Sequence, residues 1–517
     1  MNQRPKPQLA NMPKRALAGL IAAFAIAPAG CTAGFGQAPG ASSIRVQVVQ
    51  GDVGTATKRL PITFTDATRF TVRIEALGAD GKPDGKFSGF VRLSTKPGTI
   101  FQMAGGGVRG RNVQLSGGVA EGVVVDLVAT YGDSRIWAED VGYAPSGADK
   151  PRCSDGVDND NDGLVDFPTD PGCAFADDDT ENPGGFATGA SETLFFQYPR
   201  IADVRGVGQG GAATPFPKEQ VQIDTGYDRG ENKFNHSLVV TRIASDGFYV
   251  TDIDDPRGYT SIFAYTFNPP ARLGVCDRLV TLSGTAVDFF GFTELSFPAW
   301  SVEERVCKKN GDALECNRPC FVPEPRVLAL TDLANLKEKL RASASLVRVE
   351  SKGDVEVRIA QHFGKGDAPK DGGQYSFTNE ASNCDFNRNG RVEFDRPDEA
   401  ECSNACDKDP ECVEWSAFAQ RSDFELVIEE KRAAQGSRSV KVQANATAAP
   451  DFDVLAARGK PLRAYSGTLR YFSDGSQFTI EARCQDDVVA DMGASPKASD
   501  QACVFPRLDT DNNAGTQ

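Results

Sequence analysis

The sequence predicts a mainly β fold: a β-sandwich, an acidic loop, and a β-barrel with one helix and a cysteine-rich insertion. Three observations predict it. Apolar and polar residues alternate over short runs, as in Ile44, Val46 and Val48 or Phe70, Val72 and Ile74, which is the period of a half-buried strand. Glycine-rich turns separate further runs at 89–94, 112–115, 122–130 and 134–139, a spacing that suits two packed sheets. Helical periodicity is clear only over 331–340, where Leu333, Leu336 and Leu340 share a face and Thr331 or Asp332 can cap the free N–H groups.

Strands at 237–243, 247–251, 261–265 and 278–287 precede that helix, and others at 345–350, 355–359, 465–472 and 477–483 follow it. Strands, one helix and closing strands is the order of an OB barrel. The run that starts Gly122-Val123-Val124-Val125-Asp126, followed by Arg135-Ile136-Trp137-Ala138, resembles the end of a bacterial Ig-like domain. That resemblance implies an Ig-like sandwich over 44–145. The stretch Ala244-Ser245-Asp246-Gly247-Phe248-Tyr249-Val250-Thr251-Asp252, with Ser261-Ile262-Phe263-Ala264-Tyr265, Asp277-Arg278-Leu279-Val280-Thr281-Leu282 and Phe290-Gly291-Phe292-Thr293-Glu294-Leu295, carries a second resemblance. It is similar to the OB-like domains appended to secreted bacterial nucleases and found in large lipoproteins of myxobacterium-like organisms. The resemblance covers 195–360 and 465–484, which implies a barrel over 194–488, an insertion at 365–460 and a tail at 489–517. No separate catalytic domain accompanies it, so a nuclease activity is not expected.

The first fifteen residues carry Arg4, Lys6, Lys14 and Arg15 and no acid, and an apolar run over 16–27 follows. This is the pattern of a signal peptide over 1–30. Pro28-Ala29-Gly30-Cys31 resembles a bacterial lipobox, with Pro28 where the family has Leu. The resemblance implies cleavage before Cys31, diacylglycerol on its sulfur, and a lipid anchor in the outer membrane reached through a tether at 31–43. The alternative is ordinary secretion with Cys31 discarded or left free. Thirteen cysteines cannot all pair, and removing Cys31 leaves twelve, all beyond residue 150, so six disulfides of an oxidising compartment are expected. Residues 1–30 carry four bases and no acid, so the net charge of −15 becomes −19 without them. That surface repels nucleic-acid phosphates and anionic headgroups, and nucleic acid is not an expected partner.

Between Cys153 and Cys173, within an acidic segment at 150–185, stand six aspartates and no base. Crowded carboxylates repel, and a hard cation with six to eight oxygen ligands suits them. Asp158, Asp160 and Asp162 fall at positions 1, 3 and 5 of an EF-hand-like calcium loop, Gly163 permits the turn, the Leu164 carbonyl follows, and Asp166 takes position 9. Val165 is expected to turn inward. Thr169 replaces the glutamate of position 12, so Asp170 is the candidate to complete the shell. The loop resembles a thrombospondin type 3 repeat. Asp385, Asn387, Asn389, the Arg391 carbonyl and Glu393 repeat the spacing and resemble a dockerin half-site. Calcium there, or a plain disulfide knot from Cys384, Cys402, Cys406 and Cys412, are both open.

Catalytic constellations are sparse. The chain has two histidines, His236 and His362, and pairing accounts for its cysteines, which leaves no evident nucleophile scheme, so no enzyme is expected. Phe289, Phe290 and Phe292 are either a stacking platform for a sugar or a single strand, or core at the barrel end. The expected function is a calcium-stabilised structural or adhesive role at the cell envelope, with extracellular polysaccharide or an envelope protein as partner. A binding module for polysaccharide or single-stranded nucleic acid is the alternative. If Cys31 carries the lipid, Cys31→Ser leaves an unlipidated protein outside the membrane fraction. Mass spectrometry of the mature N-terminus decides this, and an intact unacylated Cys31 in native protein contradicts it.

Overall fold

The computed structural model describes residues 41–145, 149–181, 185–207, 213–310, 313–360, 422–432, 436–454, 456–472 and 477–508. It is mainly β, as expected. Strands β1 (Ala41–Gln50), β2 (Thr68–Gly78), β3 (Phe90–Lys96), β4 (Thr99–Ala104), β5 (Val108–Arg109), β6 (Asn112–Gln114), β7 (Val119–Val128) and β8 (Asp133–Asp140) form a sandwich. One sheet runs β1-β2-β7-β4 and the other contains β8-β3-β6-β5. Strict alternation in β3 and β8 buries every second residue, so Val91, Leu93, Ile136 and Ala138 share one core with Phe70, Val72, Ile74 and Val125 of the other sheet.

The sandwich does not end at 145. After β8 the chain makes an excursion and returns as β9 (Gly189–Ala190) and β10 (Leu194–Phe195), both antiparallel to β8 through Trp137↔Ala190 and Ser134↔Leu194. Leu194 and Phe196 fill the sandwich core, which is why the chain comes back. The acidic segment is therefore held at both ends by one sheet.

Helix α1 (Ile201–Val204), β11 (Gln220–Gln222) and a small hairpin of β12 (Tyr227–Asp228) and β13 (Lys233–Phe234) lead into β14 (Leu238–Ala244), β15 (Gly247–Asp252), β16 (Ser261–Tyr265), β17 (Arg278–Phe289) and β18 (Phe292–Glu303). β14 pairs β15, β15 pairs β16, and β17 pairs both β14 and β18, all antiparallel, while β16 and β18 run parallel. These pairings close a five-strand ring with one parallel seam, an OB-like barrel. Beyond it, β19 (Val306–Asn310) and β20 (Ala313–Cys316) form a hairpin closed by Cys307–Cys316, and Cys276–Cys320 ties this region back to the barrel.

The expected single barrel is two. β21 (Arg326–Val327) and two helices precede β22 (Leu346–Glu350) and β23 (Val355–Ile359), and these are followed by β24 (Asp423–Arg432), β25 (Gly436–Asn445), β26 (Pro461–Leu462), β27 (Ala464–Phe472) and β28 (Gln477–Glu481). β22 and β23 pair with successive parts of one strand line, Glu350 opposite Ala464 and Val357 opposite Leu462, so 351–354 bulges out of a single bent strand. β23, β24 and β25 form a meander, β25 pairs β28 in parallel, and β28 returns to β27, which closes a second ring of the same order. Most of the supposed insertion's described part is thus barrel, with Phe424, Leu426, Ile428, Val442 and Ala444 in its core. The supposed tail is also tied down: β29 (Val488–Val489) pairs β27, β30 (Arg507–Leu508) pairs β19, and Cys484–Cys503 closes the loop between.

The expected helix at 331–340 is two, α2 (Leu330–Ala334) and α3 (Leu336–Ala342). Asn335 breaks it with extended backbone and accepts the Lys337 N–H on its side chain, a capping role this residue favours over helix interior. Leu333 is buried, whereas Leu336 is 52% exposed, so the three leucines do not share a packed face.

The modules pack on one another. Phe64 and Tyr131 of the sandwich set their rings edge-on to Phe216, and the Tyr131 hydroxyl donates to the Gln220 carbonyl (2.9 Å). Arg205, after α1, is buried and donates to the carbonyls of Ser261 (3.1 Å), Leu340 (3.0 Å) and Ser343 (2.8 Å), which joins the first barrel to α3. Burial pushes its pKa down to about 10, and three carbonyl acceptors spread over two nitrogens suit a guanidinium fork better than an ammonium. Arg242 of the first barrel reaches Glu481 of the second (2.7 Å).

Candidate calcium site and barrel surfaces

The acidic excursion is organised by a disulfide and one buried aspartate. Cys153 and Cys173 are bonded, as their spacing suggested. Asp178, fully buried, accepts the N–H groups of Ala144 (2.9 Å), Ala174 (3.2 Å) and Thr180 (3.1 Å), and its own carbonyl takes the Cys153 N–H (3.1 Å). The sandwich side and the disulfide side of the excursion are thereby joined.

Within the loop the carboxylates turn toward one another. One carboxylate oxygen from each of Asp158, Asp160 and Asp162 lies within 4.8 Å of the other two. Each also receives a loop N–H: Gly163 donates to Asp158 Oδ2 (3.0 Å), Asp162 to Asp160 Oδ1 (3.0 Å) and Leu164 to Asp162 Oδ1 (2.8 Å). Gly163 has φ +93°, a left-handed conformation that favours glycine, and so gives the turn expected of it. Asp166 accepts the Gly156 N–H on Oδ2 (2.9 Å). Asp170 is 1% exposed and accepts the Gly172 N–H on Oδ1 (2.6 Å). Val165 does not turn inward; it is 40% exposed, and the disulfide fills the interior instead, with Cys153 fully buried.

Burial raises the pKa of Asp160, and the charges of Asp162, Asp170 and Asp158 raise it further against the Asp162 N–H. Buried Asp158 Oδ1, Asp166 Oδ1 and Glu181 Oε1 have no hydrogen-bond partner among the described residues. Orphaned, buried carboxylate oxygens around a carboxylate cluster fit a hard cation that takes six to eight oxygens. Cys173 stands near Asp170 but its sulfur is in the disulfide, so the donors are oxygens, which suits calcium rather than zinc. Sequence reasoning missed Glu181. The signal was the acidic run continuing past Cys173 at 177–181, although periodicity could not show which of those acids folds inward.

Three further disulfides, Cys276–Cys320, Cys307–Cys316 and Cys484–Cys503, pair every other cysteine among the described residues. Asp385, Asn387, Asn389, Arg391 and Glu393, the cysteines at 384, 402, 406 and 412, His362 and Cys31 lie outside the described residues.

The three phenylalanines separate. Phe289 and Phe290 are 44% and 54% exposed at the tip of the β17–β18 hairpin, their rings 4.7 Å apart, with Phe290 and Gly291 both at positive φ in a two-residue turn. Phe292 is buried against Tyr249, Phe263 and Ala344, so it is core and no part of a platform. A second aromatic group was not foreseen. Tyr265, Phe267 and Phe297 pack in sequence with their rings tilted, centroids 4.4 and 5.4 Å apart, and Phe297 is 69% exposed.

His236 lies at the foot of the first barrel between Asp224 (3.3 Å) and Asp252 (3.6 Å), and Arg200 holds Asp252 in a fork with two bonds of 2.7 Å. Burial alone would lower its pKa, but the two carboxylates outweigh that and push it up to about 9. No nucleophile completes the group among these contacts, and the histidine acts as a cation inside an ion network. A folded pKa above the unfolded value of 6.5 contributes stability that is complete below about pH 6.5 and is lost as pH rises through about 9. Denaturant midpoints measured from pH 6 to 10 should therefore fall for the wild type, and His236→Gln should flatten the decline. Equal slopes for the two proteins contradict the assignment.

No family model matches the chain, and no curated protein does. One similar solved structure is described as a Ca2+-stabilised adhesin that helps an Antarctic bacterium reach out and bind ice. It is 9% identical, covers 78% of this chain and 73% of its own, and has a TM-score of 0.13. A score of that size carries no inference about fold or function.

Proposed function

We propose that this chain is a calcium-stabilised structural or adhesive protein of the cell envelope, anchored through a lipid on Cys31 and without enzymatic activity. The observation that carries the reading is the disulfide-closed loop in which Asp158, Asp160 and Asp162 converge within 4.8 Å while buried oxygens of Asp158 and Asp166 lack a partner. Asp158, Asp160, Asp162, Asp166 and Asp170, with the Leu164 carbonyl, would hold the ion. Calcium would supply charge neutralisation that the loop cannot supply from its own residues. The excursion is fixed to the sandwich at both ends, so the ion stiffens a domain rather than a free linker. The acidic surface disfavours nucleic acid, and an extracellular polysaccharide or an envelope protein is the partner class that remains.

The exposed rings favour a second reading, a polysaccharide-binding module. Phe267 and Phe297 are adjacent, more than half exposed, and both at positive φ (64° and 53°), which is unusual for a bulky side chain. Glycan-array binding that survives chelation and is lost in Phe297→Ala supports it, and an array with no ligand removes it.

The calcium reading is tested by melting. Sites of this kind in extracellular modules bind at about 10⁻⁴–10⁻³ M, so 10 mM calcium should stabilise the folded state by about 2 kcal/mol relative to chelator. For a unit of the sandwich's size that is a rise of roughly 4–8 °C in Tm. Magnesium should substitute poorly because it demands near-octahedral geometry. Replacing Asp158, Asp160 and Asp162 together by Ala should abolish most of the shift. An unchanged Tm in calcium and chelator, with no heat of binding at millimolar calcium, defeats the reading.

A further inference from the structure

Glu181 stands outside the loop, eight residues beyond Cys173, yet it faces the loop. It is 2% exposed. Its Oε2 accepts the N–H of Asn159, between the first two loop aspartates, while Oε1 is buried with no hydrogen-bond partner among the described residues. Its carboxylate lies within 4.8 Å of that of Asp170, which is itself 1% exposed. Glu181 therefore touches the loop at Asn159, between Asp158 and Asp160, and meets Asp170 with the same carboxylate, so it stands between the two acidic groups. Two buried carboxylates at this range repel one another, and a hard cation between them relieves that repulsion.

The loop itself is short of a ligand. At the twelfth position, where a loop of this type offers a bidentate glutamate, stands Thr169, which is exposed. The backbone brings Glu181 to the vacant side: a Cβ on residue 172 would stand 1.6 Å from the Glu181 carbonyl oxygen, so only glycine lets the two segments approach. We infer that Glu181, beside Asp170 of the loop, completes the calcium shell from outside the loop, and that the ion thereby clasps the loop to the chain returning to the sandwich. The inference rests on the calcium reading above and adds to it a ligand and a mechanical role. Glu181 follows Asp178, which binds the Ala144 N–H at the sandwich exit, so holding Glu181 also holds that junction.

The test uses the full chain and calcium alone. Glu181→Gln keeps the size of the side chain and an oxygen for the Asn159 N–H, but removes the charge. Calorimetric titration should show the calcium affinity falling by roughly tenfold or more, since affinity follows ligand charge. Melting should invert in sign. In chelator the variant should melt at or above the wild type, because a buried repulsion is gone, and in calcium it should melt below. Glu181→Asp, which keeps the charge but shortens the reach by one methylene, should also lower the affinity, which keeps the test available if the first variant does not fold. Wild-type affinity in both variants, or equal melting shifts in chelator and in calcium, overturns the clasp while leaving the loop site standing. A wild type that binds no calcium overturns the underlying reading and the clasp together.

Discussion

Carboxylate crowding in the 153–181 excursion is the constraint around which this molecule is arranged. Acidic segments ordinarily relax by extending, which separates their charges and exposes them to water. Here extension is blocked twice. The disulfide draws residues 153 and 173 together, and the pairing of β9 and β10 with β8 fixes the excursion to neighbouring positions of one sheet. Repulsion that cannot relax through the backbone must be met at the carboxylates, by a proton or by a cation. The raised pKa values of Asp160 and Glu181, caused first by burial and then by their neighbours, are the electrostatic trace of that demand. Calcium, as proposed, would meet it without protonation and would link the local charge pattern to the stability of the sandwich.

The remaining architecture transmits rather than creates this constraint. Sandwich, first barrel and second barrel follow in series, and each junction uses a different chemistry. Aromatic edges from Phe64 and Tyr131 meet Phe216 at the first junction. At the second, buried Arg205 donates to three carbonyls, and Arg242 pairs with Glu481. Groups so committed resist rotation of one module against the next, because loss of a partner strands a buried polar group at a cost of about 1–3 kcal/mol. The aromatic rings that face solvent on the first barrel are presented from this fixed frame.

Much of this was legible in the sequence, and the failures have specific causes. Strict alternation in 90–96 and 133–140 marked strands to within a residue or two, because one face is core and the other water. Asp158, Asp160 and Asp162 converge as their spacing required, since a loop's short-range hydrogen bonds are local in sequence. What failed was long-range. The runs 423–432 and 436–445 lie more than sixty residues beyond β23, so nothing local assigns them to its sheet, and two rings read as one. Glu181 was missed for the same reason, its partners standing across a disulfide. The leucine period at 333, 336 and 340 read as one helix because spacing does not reveal that Asn335 prefers to cap. Phe292 and Phe290 differ by two residues and yet have opposite fates, set by a turn between them whose tightness the sequence only hinted at.

The excursion's return also meets the place where the chain enters the sandwich. The Ile44 N–H donates to the Ala187 carbonyl (2.9 Å), and Ser43 bridges Ala187 in parallel. The first strand after the proposed tether is thus held on one side by β2 and on the other by the chain that leaves the acidic unit. A pull applied through a lipid on Cys31 would reach Ala41, paired with Gly78, and then Ser43 and Ile44. Its resistance would depend in part on how firmly the returning chain is held, and Glu181 and Asp178 are groups that fasten its start. If that segment holds calcium as proposed, the ion would also strengthen the junction through which such a pull passes. The barrels, farther along the chain, are left free to bear the exposed surface.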